Sequence, residues 1–282
     1  MMRQGLWLFV VLFGATNNVF GQEQNDWRSS LQFHASFDQS ADADVAQGDA
    51  KIYTAENLKR EKLSAGLDTD VVSWEKDTGK WGGCLKFHDV QEKVVLYQAK
   101  QNFPYRADGF DATISFWLKV DPEKGLKPGY VDPLQITDKA WNDASLFVDF
   151  TKDDTPRHFR LGVFSDYAHW NPKDTKWDDI AESARPMVTV KKTPFSGDQW
   201  THVAIVLSGI RSGHSHATLY LDGENQGMLG GDLKLTWQLE NVAMMLGIQY
   251  IGRIDDLAVF SNALTDEQVS QLYGLPNGVG GK

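Results

Sequence analysis

Apolar and polar residues alternate with a period of two through most of the chain, the pattern of strands that bury one face. In Thr113–Val120, Ile114, Phe116, Leu118 and Val120 fall on one side, with Ser115, Trp117 and Lys119 on the other. The same reading predicts strands over Leu31–Phe37, Cys84–His88, Val94–Tyr97, Ser145–Thr151, His158–Phe164, Trp200–Leu207, Ala217–Leu221, Ala243–Ile248 and Ile251–Phe260. Turn residues separate them, as at Asp77-Thr78-Gly79, Gly82-Gly83 and Asp222-Gly223. With no helices interleaved, these strands predict an all-β protein in which two antiparallel sheets pack face to face as a sandwich. One short helix is predicted near the end, over Leu264–Tyr273. Thr265 is its N-cap with Gln268 three residues on, Leu264, Val269 and Leu272 share a face, and Gly274 stops it.

Ahead of the first strand, Arg3, the apolar run Gly5–Ala15 and the polar Thr16-Asn17-Asn18 read as a secretory signal over residues 1–21, cut before Gln22. The run is shorter than the roughly 20 residues a membrane span needs. The mature chain is therefore expected to be secreted, without a transmembrane segment, and to act in the periplasm, at the cell surface or outside the cell. Residues 22–30 read as a lead-in, 31–274 as one domain and 275–282 as a flexible tail. Cys84 is the single cysteine and lies in an apolar alternation, so no internal disulfide forms and the thiol is expected to be buried and inert.

Twenty-eight basic residues against 38 acidic ones leave a net charge of -10, which repels a phosphate backbone and argues against nucleic acid as a partner. Aromatic residues make up 12% of the chain, including ten Trp, more than a core of this size needs. Three of the Trp fall in two long loops, Asp121–Asn142 and Ser165–Pro186, and loops of that length are more often functional than connective. Trp141 ends the first. In the second, Trp170 and Trp177 lie among His169, Asn171 and Asp178, which combines flat rings for the C–H faces of sugars with polar groups for their hydroxyls. These six residues are the candidate ligand site; the alternative is that the rings pin the loop to the sandwich.

The stretches Gly79–Phe87 (GKWGGCLKF), Ala112–Lys119 (ATISFWLK), Trp200–Ser208 (WTHVAIVLS), Ala217–Gly223 (ATLYLDG) and Gly252–Tyr273 (GRIDDLAVFSNALTDEQVSQLY) follow one another in the order of a laminin-G-like domain. Over residues 31–274 the chain resembles the concanavalin A-like jelly-roll superfamily. The resemblance implies a jelly roll, and a Ca²⁺ ion at the sandwich edge as in several such domains, held by oxygen ligands. Asp38, in the acidic stretch Phe37–Asp44, and Asp255 are the candidate ligands. Each motif also has a mechanical reading: Asp222-Gly223 as a hairpin tip, His202 as a hydrogen-bonded structural residue, Asp255 and Asp256 as acceptors of loop amides.

The superfamily also contains polysaccharide-degrading enzymes. Retaining glycosidases need two carboxylates about 5–5.5 Å apart, and the β-glucanases of this fold place them as E-x-D-x-x-E. That spacing is missing, and the strand Ser145–Thr151 carries Asp149 alone. No G-x-S-x-G elbow, H-E-x-x-H helix or phosphate-binding glycine loop occurs either. The expectation is a secreted, non-catalytic protein that binds an extracellular glycan, assisted by Ca²⁺. The alternatives are an adhesive module that binds an envelope protein and, behind it, a degrading enzyme with an unusual site.

Overall fold

The computed structural model describes residues 26–281. The predicted signal segment 1–21 and the first residues of the predicted lead-in lie outside that range. Two antiparallel sheets form a jelly-roll sandwich, as the alternation predicts. The first runs through Glu224–Gly231, Ser215–Leu221, Thr201–Ile210, Phe110–Lys119, Gly252–Phe260, Leu31–Ala35 and Val45–Ala46, and Cys84–Phe87 pairs with the start of Gly252–Phe260. The second runs through Met187–Val190, Phe159–Phe164, Ser145–Phe150, Val131–Thr137, Ala243–Ile248, Val94–Gln98, Ile52–Ala55 and Leu63–Ala65. Among the described residues, no helix is long and apolar enough to cross a membrane.

The inward faces meet in one continuous core. Ile114, Phe116, Leu118 and Val120 point into it together with Val203, Ile205 and Leu207, and meet Tyr97, Val148, Phe150 and Leu161 of the opposite sheet. Burying a side chain of this kind stabilises by about 1.5–3 kcal/mol. Cys84 is fully buried, and burial pushes its thiol pKa up, as an inert thiol requires.

Strands that alternate like those of a half-exposed sheet are here buried on both sides, because the outer face of the first sheet is covered. The helix Asp266–Tyr273 starts at a capping box: Gln268 N donates to Thr265 Oγ1 at 3.2 Å, and Thr265 N to Gln268 Oε1 at 3.0 Å. Its Val269 and Leu272 press onto Val206, Tyr220, Ala258 and Phe260. Trp27, in the lead-in, closes the same cluster edge-on to Phe260 at 5.5 Å. Tyr273 stacks on Trp117 with ring centroids 5.7 Å apart, and Trp81 meets Trp117 edge-on at 5.3 Å. Residues assigned to a flexible tail are tied to this layer: Trp81 Nε1 donates to Pro276 O at 2.7 Å, and Val279 N to Asp256 Oδ2 at 3.2 Å.

His202 lies beneath that layer, fully buried, its ring 5.0 Å from Trp117 and its Nε2 2.9 Å from Ser115 Oγ. Burial, reinforced by the charge of Lys80, pushes its pKa down from 6.5 to about 3. The folded protein therefore holds the neutral ring while acid protonates the unfolded chain first. This contribution is intact above pH 6.5, falls as the pH drops below that value and is fully lost near pH 3. The slope is up to about 1.4 kcal/mol per pH unit. Urea unfolding across this range should show the acid limb in the wild type and a flatter one in His202→Gln; parallel curves would exclude a neutral buried His202.

Candidate functional site

The outer face of the second sheet is covered in part by Trp170 and Trp177 against Phe164, and the geometry of the rest is set by a segment that reads as loop. Pro133 interrupts the run Val131–Thr137, and a proline cannot donate to a ladder, so the stretch does not look like a central strand. It is one, with a bulge at the proline. Val148 pairs with Leu134, but Phe150 pairs with Val131, so Asp132 and Pro133 together face Asp149. Bulges re-aim side chains, and this one brings two carboxyls from adjacent strands to one place.

On the other side, Asp149 is directly opposite Arg160. Arg160 Nε donates to Asp149 Oδ1 at 2.8 Å and Nη2 donates to Oδ2, a bidentate pair almost closed to solvent, with the two residues 2% and 8% exposed. The guanidinium also lies over Tyr130, 5.1 Å from the ring centre. Burial, and then the charge of Asp149, hold the Asp132 carboxyl well above the usual carboxylate range. Burial raises Asp149 too, against the opposing pull of Arg160. The floor thus offers an ion pair beside a carboxyl whose surroundings favour the neutral form, a donor as well as an acceptor of hydrogen bonds.

The walls are aromatic. Phe147 faces Gln135 on one neighbouring strand and Gly162 on the other. Its ring occupies the space a side chain at position 162 would need: a Cβ there would sit 2.5 Å from Phe147 Cζ. Trp141 packs edge-on to Phe164 at 5.5 Å and to Trp177 at 5.4 Å, and Trp177 carries the Arg185 guanidinium 4.4 Å above its ring. Rings and charged floor enclose a cleft of about 550 Å³, lined by Tyr130, Asp132, Phe147, Asp149, Trp141 and Trp177 among others.

Of the six residues proposed from sequence, Trp141 and Trp177 therefore come together on the cleft wall. The other four lie elsewhere. Trp170 Nε1 donates to Asn142 O at 2.8 Å and its ring meets Phe164 edge-on, which anchors the loop. Asn171 is buried and closes a turn with Thr175 through bonds of 2.9 and 3.0 Å. His169 Nε2 lies 3.0 Å from Asp232 O, and Asp178 is exposed outside the cleft lining. Tyr130, Asp132, Asp149 and Arg160 were missed, although a charge in the middle of SLFVDF and of HFRLGVF marks a buried polar group that must be paired.

Asp38 and Asp255 reach the same loop, Gly79–Gly83. A Cβ on Gly82 would collide with Asp38 Oδ1, and Asp255 Oδ2 accepts from Lys80 N at 2.5 Å and Trp81 N at 3.3 Å. Asp255 Oδ1 takes Asp256 N at 2.8 Å, so both of its oxygens are occupied by the backbone. No group of three or more His, Cys, Asp or Glu side chains suited to a metal occurs among the described residues. The pair therefore does not fit a Ca²⁺ site with Asp255 as a ligand. Asp38 keeps Oδ1 buried without a partner, and burial raises its pKa.

The family model described as the concanavalin A-like lectin/glucanases superfamily matches residues 97–270, more than half of the 282 in the chain. Comparison with curated protein sequences returns no match. Among solved structures, domain 4 of AbnA, a GH43 extracellular arabinanase from Geobacillus stearothermophilus in complex with arabinotriose, is similar at 16% identity. Its TM-score is 0.53, over 86% of this chain and 97% of that one. The receptor-binding domain of the botulinum neurotoxin C/D mosaic serotype is similar at 14% identity with a TM-score of 0.50. That match covers 79% of this chain and 51% of the other, so the present chain spans about half of its length. Both likenesses are of fold.

The floor makes a stability prediction. Asp149→Ala leaves Arg160 buried without its carboxylate and should cost about 3–5 kcal/mol in urea denaturation, whereas the double change Asp149→Leu with Arg160→Met should recover most of it. A single variant as stable as the wild type would contradict the buried pair.

Proposed function

This chain belongs to the concanavalin A-like lectin/glucanases superfamily, and we propose that it is a secreted protein that binds a glycan on the open face of its second sheet. The observation that supports this most is the cleft itself, in which Trp141, Trp177, Phe147 and Tyr130 surround a polar floor of Asp132, Gln135 and the Asp149–Arg160 pair. A sugar has the complementary surface, apolar C–H faces on a ring rimmed by hydroxyls that need both donors and acceptors. Trp141 is 42% exposed, and its ring is available without rearrangement of the core. Domain 4 of the arabinanase shares this fold and was solved with arabinotriose, which is in keeping with the reading.

The runner-up is an adhesive module that binds a protein of the cell envelope. The exposed rings favour it too, and the fold is shared with a toxin receptor-binding domain. The two readings separate in a glycan array. The glycan reading expects a signal that Trp141→Ala and Trp177→Ala each weaken by about tenfold or more, near 1.4 kcal/mol, with the melting temperature little changed. A flat array with a folded protein would sink it and favour the protein partner. Release of reducing ends or unsaturated products from a bound polysaccharide would instead assign Asp132 and Asp149 to catalysis.

Calcium enters this proposal only at Asp38, which of the two expected ligands is the one that keeps a buried oxygen without a partner. Millimolar Ca²⁺ should then raise the melting temperature of the wild type and not that of Asp38→Asn; coincident curves in both remove calcium from the proposal.

A further inference from the structure

The cleft continues in both directions across the sheet. A polar depression of about 250 Å³ shares Tyr130, Arg160 and Met187 with it and extends to Lys152 and Lys191. On the opposite side, a depression of about 310 Å³ shares Leu58, Lys59 and Ile248 and extends to Val94 and Gln91. Met187–Val190 and Val94–Gln98 are separated by five strand-to-strand steps. At about 4.8 Å per step the groove is roughly 24 Å long, room for a run of about four or five sugar rings laid across the strands.

The charges along it differ from those of the protein as a whole. Lys152 is paired with Asp153 and Arg160 with Asp149, and Lys139 is held by Asp143 and Asp166. Among the described residues, the groove cations without a carboxylate partner are Lys59, Arg60, Arg185 and Lys191. The acids without a lysine or arginine partner are Asp132, Asp154, whose neighbour is His158, Glu182 and, at the far end, Glu92. Burial raises the Asp132 pKa and favours its neutral form, and the four cations stand against three further acids on a chain whose net charge is -10. The unpaired cations are spread from Lys191 at one end to Lys59 beyond the aromatic walls, so one short ligand does not reach them all.

We propose that the groove takes an internal stretch of a linear, anionic polysaccharide, with about four or five sugars in contact, its rings on Trp141 and Trp177 and its acid groups on Lys59, Arg60, Arg185 and Lys191. This rests on the glycan reading of the cleft and adds the length and charge of the ligand. Carboxylate of a uronic acid and sulfate ester present the same chemistry to these cations.

Calorimetry with oligogalacturonates of two to six units, a sulfated agaro-oligosaccharide series and neutral xylo-, arabino- and cello-oligosaccharides of matched length tests it. At least one anionic series should bind at least about tenfold tighter than every neutral one, tighten up to four or five units and then level off, and weaken as salt rises. Whichever anionic series binds identifies the acid group. Lys59→Ala and Lys191→Ala, both at exposed positions, should each weaken the longer anionic oligosaccharides about threefold or more and leave dimers unchanged. Neutral oligosaccharides that bind as tightly as anionic ones would overturn the charge assignment, and a dimer as tight as the hexamer the length, with the glycan reading intact in both cases. Absence of binding to every series, alongside a flat glycan array, is the separate failure of the glycan reading.

Discussion

Each sheet of a sandwich has two faces, and packing the sheets together buries only one of each. The cover on the other two decides where this protein can meet a ligand. On the first sheet the helix Asp266–Tyr273, Trp27, Trp81 and the segment through Val279 form a second apolar layer. That layer is why Trp117 and His202, on the polar side of their strands, are buried. That layer closes the central strands of the face to a ligand. Over the second sheet the short helical turns Tyr167–Trp170 and Trp177–Asp179 press on Phe164 at one side, and outward residues beyond them line a groove.

The open face is nonetheless an ordered one. An ion pair as enclosed as Asp149–Arg160 adds little net stability over an apolar substitute, since desolvation offsets most of the attraction. Its value lies in placement. Two parallel hydrogen bonds fix the guanidinium plane, which then serves as a platform for Tyr130 and keeps the floor flat between the rings. The bulge adds Asp132, where burial and then the neighbouring charge of Asp149 favour the protonated form. A floor that is partly charged and partly neutral can donate to one sugar oxygen and accept from the next without side-chain rearrangement, which lowers the entropy cost of binding.

The two-sheet fold and the closing helix were legible because they depend on local signals: period-two alternation, Gly and Asp turns, and a capping box. Val131–Thr137 was hidden by Pro133, since the rule that proline avoids central strands holds except at bulges, and a bulge is a property of two strands at once. Asp149 and Arg160 are 11 positions apart, and only the hairpin register between Ser145–Phe150 and Phe159–Phe164 makes them a pair. The loop aromatics show the opposite limit. Composition singled out Trp141, Trp170 and Trp177 together, yet the direction in which each ring points depends on backbone contacts such as Asn142 O for Trp170. No pattern along the chain encodes those.

An acidic protein that binds an acidic chain raises an electrostatic question, which screening resolves. At physiological salt the Debye length is about 8 Å, so a polyanion approaching from farther away meets little of the net charge, attractive or repulsive. Inside the groove the distances are those of contact, and the aromatic walls exclude water and its screening. The unpaired cations there act at contact distance, while the acids elsewhere on the surface keep the molecule soluble. Association is then unsteered and ordinary in rate, and selectivity resides in how slowly a matched chain leaves. That division suits a ligand present as a long polymer, on which every internal stretch is another chance to bind.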